Sequence, residues 1–308
     1  MKALLFPGQG SQTVGMALEF YNNFEAVKKI FDEADDSLNF KISKVILEGP
    51  EDELKLTQNT QPAILVVSWA IFSILKSDFG LKQSDFKYYA GHSLGEYSAL
   101  VCSGSLKFKD ALYLLHERGK AMQEAVPLGK GAMIAILGSK IEEINQFISQ
   151  VKNIGVCEIA NDNSDGQTII SGDKVSILSL QKILKDNKKK AILLPVSAPF
   201  HCSLMKGAAD KMKSKIEPIN FGELDLNIIS NVTALPEKDP KIIKKLLVDQ
   251  IYTKVRWRES VINMSNNGIK EFIEIGPGKA LSGLVKRIIK DVKANSMNSI
   301  EDAKNNIR

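Results

Sequence analysis

The sequence predicts an α/β protein: one large domain on a mainly parallel sheet, with a small βαββαβ domain inserted in its middle. Three observations predict it. Two apolar strands, "KALLF" (2–6) and "FKYYA" (86–90), each run straight into a glycine-rich turn and then a helix, the alternation that builds parallel sheets. Between about 131 and 198 the hydrophobic rhythm changes to the order βαββαβ, the split-βαβ pattern of a small ferredoxin-like unit. The 308 residues, 44% hydrophobic and 25% charged, suffice for a large domain with a smaller one beside it.

Taken in order, "KALLF" is a buried strand, "PGQGSQ" a turn, and a helix follows from about Val14. "TQPAILVVSWAIFSILKSDFG" reads as a buried helix that opens with Pro62 in its first turn and ends at Gly80. "GEYSALVCSG" is a helix closed by Gly104, and another runs from about Lys107 to Val126, stopped by Pro127 and Gly129. In the small unit, "GAMIAIL", "GVCEIAN", "GQTIISG" and "KAILLPVSA" are strands, while "KIEEINQFISQV" and "KVSILSLQKILKDN" are helices. A helix, a strand at 226–234, a helix at about 240–252 and a last strand at 270–278 complete the large domain. The C-terminal "MNSIEDAKNNIR" carries no feature that the reading uses.

Composition excludes several classes. The most apolar run, residues 63–75, is too short to cross a bilayer, and the N-terminus reaches a Pro-Gly break too early for a signal peptide. Cys102, Cys157 and Cys202 are odd in number and widely spaced, against disulfide staples and zinc sites and in keeping with a reducing cytoplasm. The net charge is +5, with lysines clustered at 185–190, 205–215 and 241–247. Such runs are either solvated faces or a basic surface for an acidic partner. Nucleic acid is disfavoured, because no aromatic-and-basic interleaving accompanies them.

Gly91-His92-Ser93-Leu94-Gly95 fits Gly-x-Ser-x-Gly between a strand and a helix, the context of a nucleophile elbow. Serine needs a base, and the chain has three histidines. His92 is adjacent in sequence and suits a wall; His116 sits mid-helix, where a surface or satisfied histidine is the plainer reading. That leaves His201, in "PVSAPFHCSLM" at the end of a strand, where α/β sites gather. The turn at Pro7–Gln12 is neither a dinucleotide fingerprint nor a P-loop. It either offers backbone N–H groups to an oxyanion or is a tight turn without chemistry. Arg118 lies at the edge of an apolar stripe (Phe108, Ala111, Leu112, Leu115, Met122) and either flanks the core or points inward, where it would need an anion such as a substrate carboxylate.

Taken together, "FPGQGSQTVGM", "NTQPAIL", "AGHSLGEYSAL", "ERGKAMQEAVPLGKGAMIAI", "IANDNSDGQTIISG", "PVSAPFHCSLM", "ISNVTA", "QIYTKVRW" and "EIGPGKALSGL", in this order over roughly 3–287, resemble the malonyl-CoA:acyl-carrier-protein transacylase family of fatty acid synthesis. The resemblance implies Ser93 as the acylated serine, His201 as its base, and the backbone N–H groups of Gln9 and Leu94 as the oxyanion hole. It implies Arg118 as the grip on the malonyl carboxylate and the Gln250 carbonyl as the group that orients the imidazole. Asn161, Phe200 and His92 become possible walls of the site, Phe200 accompanying malonyl selection in relatives.

The implied fold is an α/β-hydrolase-like domain over 1–128 and 199–308 with a ferredoxin-like insert over 129–198. The implied reaction is ping-pong transfer of malonyl from malonyl-CoA to the phosphopantetheine thiol of acyl carrier protein, without metal or other cofactor. Carrier proteins are acidic, so Lys182, Lys185, Lys188, Lys189, Lys190, Lys206 and Lys211 are candidates for a docking face; no membrane or nucleic-acid partner is expected. The rivals are a serine esterase or thioesterase using the same elbow, with Asp162, Asp165 or Asp173 as triad acid, and a non-catalytic carrier-binding module.

Overall fold

The computed structural model describes residues 1–196 and 198–307. Its strands, in chain order, are β1 (Lys2–Phe6), β2 (Phe86–Gly91), β3 (Gly131–Leu137), β4 (Cys157–Ser164), β5 (Gln167–Asp173), β6 (Lys190–Leu193), β7 (Asn227–Ile229), β8 (Pro236–Glu237), β9 (Glu271–Ile275) and β10 (Lys293–Met297). They form a six-stranded sheet of order β10-β9-β1-β2-β7-β8 and a four-stranded sheet of order β4-β5-β3-β6. The first is parallel throughout except for the β7–β8 pair; the second is antiparallel. The chain is thus a mixed α/β protein with a mainly parallel main sheet, as expected.

β1 and β2 sit side by side at the centre of the main sheet, with Phe6 opposite Gly91. Both are buried along almost their whole length, which explains why they read as unbroken apolar runs rather than as alternating ones. Their C-terminal ends therefore deliver the two glycine-rich turns to one edge of the sheet.

The helix expected to open with Pro62 in its first turn begins earlier, at Thr57, and spans Thr57–Ser77, with Pro62 inside it. Proline has no N–H to give the carbonyl of Gln58, four residues back. That carbonyl is satisfied instead by the His116 ring, Nδ1 to O 3.1 Å, so His116 is the satisfied histidine that its place in a helix suggested. By length and composition Thr57–Ser77 matches a membrane-crossing helix, but 78% of its most apolar window is buried inside the protein. Each large apolar side chain it packs away stabilises the fold by about 1.5–3 kcal/mol.

Other boundaries shift for local reasons. The first helix starts at Leu18 rather than Val14, because Gly15 and Ala17 take left-handed backbone conformations just before it. The expected strand 226–234 shrinks to β7, since Ser230 to Leu235 turn back on themselves through Ala234 N–H to Ser230 O at 2.9 Å. β6 stops at Leu193, two residues before Pro195, which cannot donate to a ladder; Ser197, in the rest of that expected strand, lies outside the described residues. The C-terminal stretch from Met297, passed over in the sequence, begins at the last residue of the edge strand β10 and forms a helix, Ile300–Asn306, capped by Ser299.

The antiparallel sheet is tied to the main body through residues 160–162 and 255–258. Asp162 N–H donates to Val255 O at 3.0 Å and Val255 N–H to Ala160 O at 2.8 Å. The buried Asp162 carboxylate accepts from Arg258 Nε and Nη2 at 3.0–3.1 Å, a bidentate pair.

The elbow depends on close approach. A Cβ on Gly91 would fall 1.8 Å from the Gly95 carbonyl carbon, and one on Gly95 2.2 Å from Phe6 O. Gly91→Ala is expected to cost upward of about 3 kcal/mol, at the top of the overpacking range, read as a lower denaturant midpoint at unchanged slope. An unchanged midpoint would contradict this packing.

Candidate active site

Ser93 stands at the tip of the turn between β2 and the helix Gly95–Ser103, with φ of 53°. The strain of that left-handed conformation is held by Asn231, just past the end of β7. Its Oδ1 accepts from Ser93 N–H at 2.7 Å and its Nδ2 donates to Gly91 O at 2.7 Å. A neighbouring strand thereby clamps both sides of the elbow, which is how a non-glycine residue is kept at positive φ.

Ser93 Oγ lies 2.8 Å from His201 Nε2, and His201 Nδ1 lies 2.8 Å from the backbone oxygen of Gln250. A carbonyl can only accept, so Nδ1 carries the proton and Nε2 is left bare to receive the serine proton. Burial pulls the His201 imidazole down to about 3; the Arg118 charge pushes the same way and the Gln250 carbonyl opposes. The imidazole is therefore neutral, and available as a base, far below the ordinary histidine range.

Arg118 is 1% exposed. It projects from the helix Phe108–Glu124 to the reacting serine, donating from Nη2 to Ser93 Oγ at 3.1 Å and to Gln250 Oε1 at 2.7 Å, and from Nη1 to Gln61 Oε1 at 2.8 Å. Its Nε has no hydrogen-bond partner, and among the described residues no carboxylate forms an ion pair with it. The Gln250 side chain also donates through Nε2 to Ser93 O at 3.0 Å and to the buried Glu96 carboxyl. Burial raises Glu96 to about 8, against the pull of Gln250 and of Arg118.

Ser93, His201, Arg118 and Gln61 border a cavity of about 210 Å³, lined also by Gln9, His92, Asn161, Met133 and Phe200. The Gln9 and Leu94 backbone N–H groups at its mouth have no protein acceptor among the described residues. A second opening of about 360 Å³ shares Gln9, His92 and Asn163 with the first and is flanked by Lys279 and Arg287. A nucleophile, a neutral base, free N–H donors and a buried cation thus meet in one cleft, equipped for transfer of an acyl group that carries an anion.

Residues 3–306 match the acyl transferase domain family. The chain is 45% identical over 301 residues to the malonyl CoA-acyl carrier protein transacylase of Bacillus subtilis, covering 97% of this chain and 94% of that one. It belongs to this family. It is 42% identical over 299 residues to the transacylase of that name from Haemophilus influenzae, covering 97% and 95% of the two. Among solved structures, it superposes on the acyl-carrier-protein S-malonyltransferase of Bartonella henselae with a TM-score of 0.96 at 42% identity, covering 99% of this chain and 97% of that one. A type II polyketide acyl carrier protein in complex with its malonyl-transacylase matches with a TM-score of 0.96 at 40% identity, covering 99% and 98%.

Of the candidate site residues, Ser93, His201, Arg118, Gln9, His92, Asn161 and Phe200 line this cavity, and Gln250 is joined to it through its contacts with Arg118 and His201. Arg118, ambiguous by periodicity, points inward. His92 turns its Nε2 to Asn163 Oδ1 at 2.9 Å, away from the proton path. The rival triad acids are spoken for elsewhere: Asp162 and Asp165 pair with Arg258, and Asp173 accepts from Val156 N–H at 2.7 Å. The sequence reading missed Gln61, Glu96, Asn163 and Asn231. All four lie inside quoted motifs, but nothing in spacing alone separates a buried amide from a surface one.

Removing the Arg118 charge makes the His201 imidazolium easier to form, so the acid limb of kcat/KM moves to higher pH. The wild type, assayed with acetyl-CoA, is expected to keep its limb well below pH 6.5, and Arg118→Met to shift it upward. A wild-type limb at 6.5 that ignores the substitution would contradict the coupling.

Proposed function

We propose that the protein transfers the malonyl group of malonyl-CoA to the phosphopantetheine thiol of acyl carrier protein through a malonyl-Ser93 intermediate, supplying malonyl-acyl carrier protein for fatty acid synthesis. The observation that carries this is Arg118, a buried cation with no ion-paired carboxylate among the described residues, within hydrogen-bond reach of the Ser93 hydroxyl. A substrate carboxylate supplies the missing charge and takes the open Nε position.

In the first half-reaction His201 Nε2 takes the Ser93 proton as Oγ attacks the thioester carbonyl. The Gln9 and Leu94 N–H groups receive the developing oxyanion, each worth about 3–4 kcal/mol of transition-state stabilisation by precedent. The Gln250 carbonyl keeps the imidazole in register and stabilises its protonated form. Collapse returns the proton to the CoA sulfur and leaves the acyl enzyme. The carrier's thiol then gives its proton to His201, attacks the ester carbonyl, and frees Ser93 Oγ, which recovers that proton. One thioester replaces another, so the exchange needs no energy source. Phe200 and Asn161 wall the acyl pocket. The second opening is the path of the pantetheine arm, with Lys279 and Arg287 suited to its phosphates.

The fold supports an α/β-hydrolase-like domain over 1–128 and 199–308 and an inserted unit over 129–198, whose strand order β4-β5-β3-β6 is that expected of a ferredoxin-like sheet. An esterase reading is less favoured, since His201 faces a carbonyl rather than a carboxylate. We place the protein in the cytoplasm, where a thioester substrate, a free-thiol substrate and three unpaired cysteines belong.

For the acidic carrier, the candidate lysines divide by pairing. Lys189, Lys206 and Lys211 already face Glu143, Asp210 and Glu124. Lys182, Lys185, Lys188 and Lys190 are exposed without such partners among the described residues, on the helix and strand that lead to the cleft walls Leu194 and Val196. They form the preferred docking face. Lys185→Glu with Lys188→Glu should raise the apparent KM for carrier several-fold at low salt, the effect shrinking as salt rises; no change at low salt would remove this face.

Arg118→Ala is expected to lower malonyl transfer by at least about a hundredfold, the scale of a lost buried ionic contact, while acetyl transfer falls far less. Equal losses for the two acyl groups, measured as kcat/KM, would overturn the assignment.

A further inference from the structure

We propose that Glu96 is a positioning residue for acyl selection: its carboxyl fixes the Gln250 side-chain amide so that the amide oxygen holds the Arg118 guanidinium beside Ser93. This rests on the proposed malonyl transfer and names a group that sets its specificity.

Gln250 is fully buried and every polar atom of its side chain is used. Nε2 donates to Glu96 Oε2 and to Ser93 O, while Oε1 accepts from Arg118 Nη2 at 2.7 Å. Turning the amide end for end would set its NH2 group against the guanidinium, donor facing donor. It would also set its oxygen against two acceptors. The Ser93 carbonyl alone is a weak determinant of this orientation, because it already accepts from the Glu96 N–H at 3.1 Å. Glu96 is thus the dedicated acceptor that makes one orientation win.

Its place in the chain suits that work. Glu96 lies in the first turn of the helix that follows the serine, so it moves as one with the elbow. It is 4% exposed, and a carboxyl that deep is costly unless it is hydrogen-bonded. It takes no part in orienting His201, which the Gln250 backbone does. Oε2 can accept from the amide with the proton on Oε1, and even in that protonated form the Arg118 donors bar the flipped amide. The chain from Glu96 through the Gln250 amide to Arg118 ends at the group reserved for the substrate anion, and so bears on which acyl group is taken.

The test is the rate of Ser93 acylation by malonyl-CoA and by acetyl-CoA, followed by intact mass in single turnovers, for wild type, Glu96→Met, Glu96→Asp, Glu96→Gln and Gln250→Met. Glu96→Met is expected to lose malonyl acylation at least tenfold more than acetyl acylation. Glu96→Gln, which keeps an acceptor of the same length, should recover most of that discrimination. Combining Glu96→Met with Gln250→Met should cost no more discrimination than Gln250→Met alone, because both act through one amide. If Glu96→Met does not fold, Glu96→Asp, with the carboxyl drawn back by one methylene, carries the same expectation. A wild-type malonyl-to-acetyl ratio in the Met or Asp variant, or equal losses for both acyl groups, overturns the role of Glu96. A wild type without malonyl preference would instead overturn the malonyl reading itself.

Discussion

A guanidinium buried to 1% exposure, with no ion-paired carboxylate among the described residues, is the constraint around which this molecule is arranged. Removing a full charge from water costs several kcal/mol even after the protein relaxes. Arg118 recovers part of that through two glutamine oxygens and the serine hydroxyl, since hydrogen bonds to a charged group are each worth about 1.5–3 kcal/mol. The remainder is a standing electrostatic demand for an anion, directed at the nucleophile. The same charge helps keep His201 neutral, so in the proposed function a single side chain would both select the substrate and preserve the base.

The fold meets this constraint by convergence at one edge of the parallel sheet. β1 and β2 end in the turns that carry Gln9 and Ser93, and β7 ends just before Asn231, which clamps the elbow. Gln250 then does two jobs with two parts of one residue. Its backbone holds the imidazole and its side chain holds the arginine. His201 and Arg118 are therefore fixed to each other, and the small sheet is joined to the main body through the Asp162–Arg258 pair.

Much of this was legible in the chain. The glycines flanking Ser93, the preceding strand and the following helix identify the elbow because each has a steric reason to be there, and the close contacts at Gly91 and Gly95 are those reasons. The succession of strands and helices in the small unit, strand-helix-strand-strand-helix-strand, followed from its hydrophobic rhythm. Arg118 was half legible: periodicity put it at the edge of a stripe, but direction depends on partners from distant segments, Gln61 and Gln250. Pro62 misled by its usual preference for a first turn, because the carbonyl it leaves free is taken by His116, fifty-eight positions away. Asn231 and Glu96 were invisible for the same reason, as their meaning lies in contacts that only the folded chain creates.

The central claim is that Ser93 carries the acyl group and that the site prefers one bearing a carboxylate. Intact-protein mass spectrometry after brief exposure to malonyl-CoA or acetyl-CoA tests it most directly, beside Ser93→Ala. The account predicts a malonyl adduct on the wild type, little acetyl adduct, and neither on the variant, with the malonyl adduct cleared by carrier protein. Continuous CoA release without an adduct, or an adduct that survives Ser93→Ala, would contradict it.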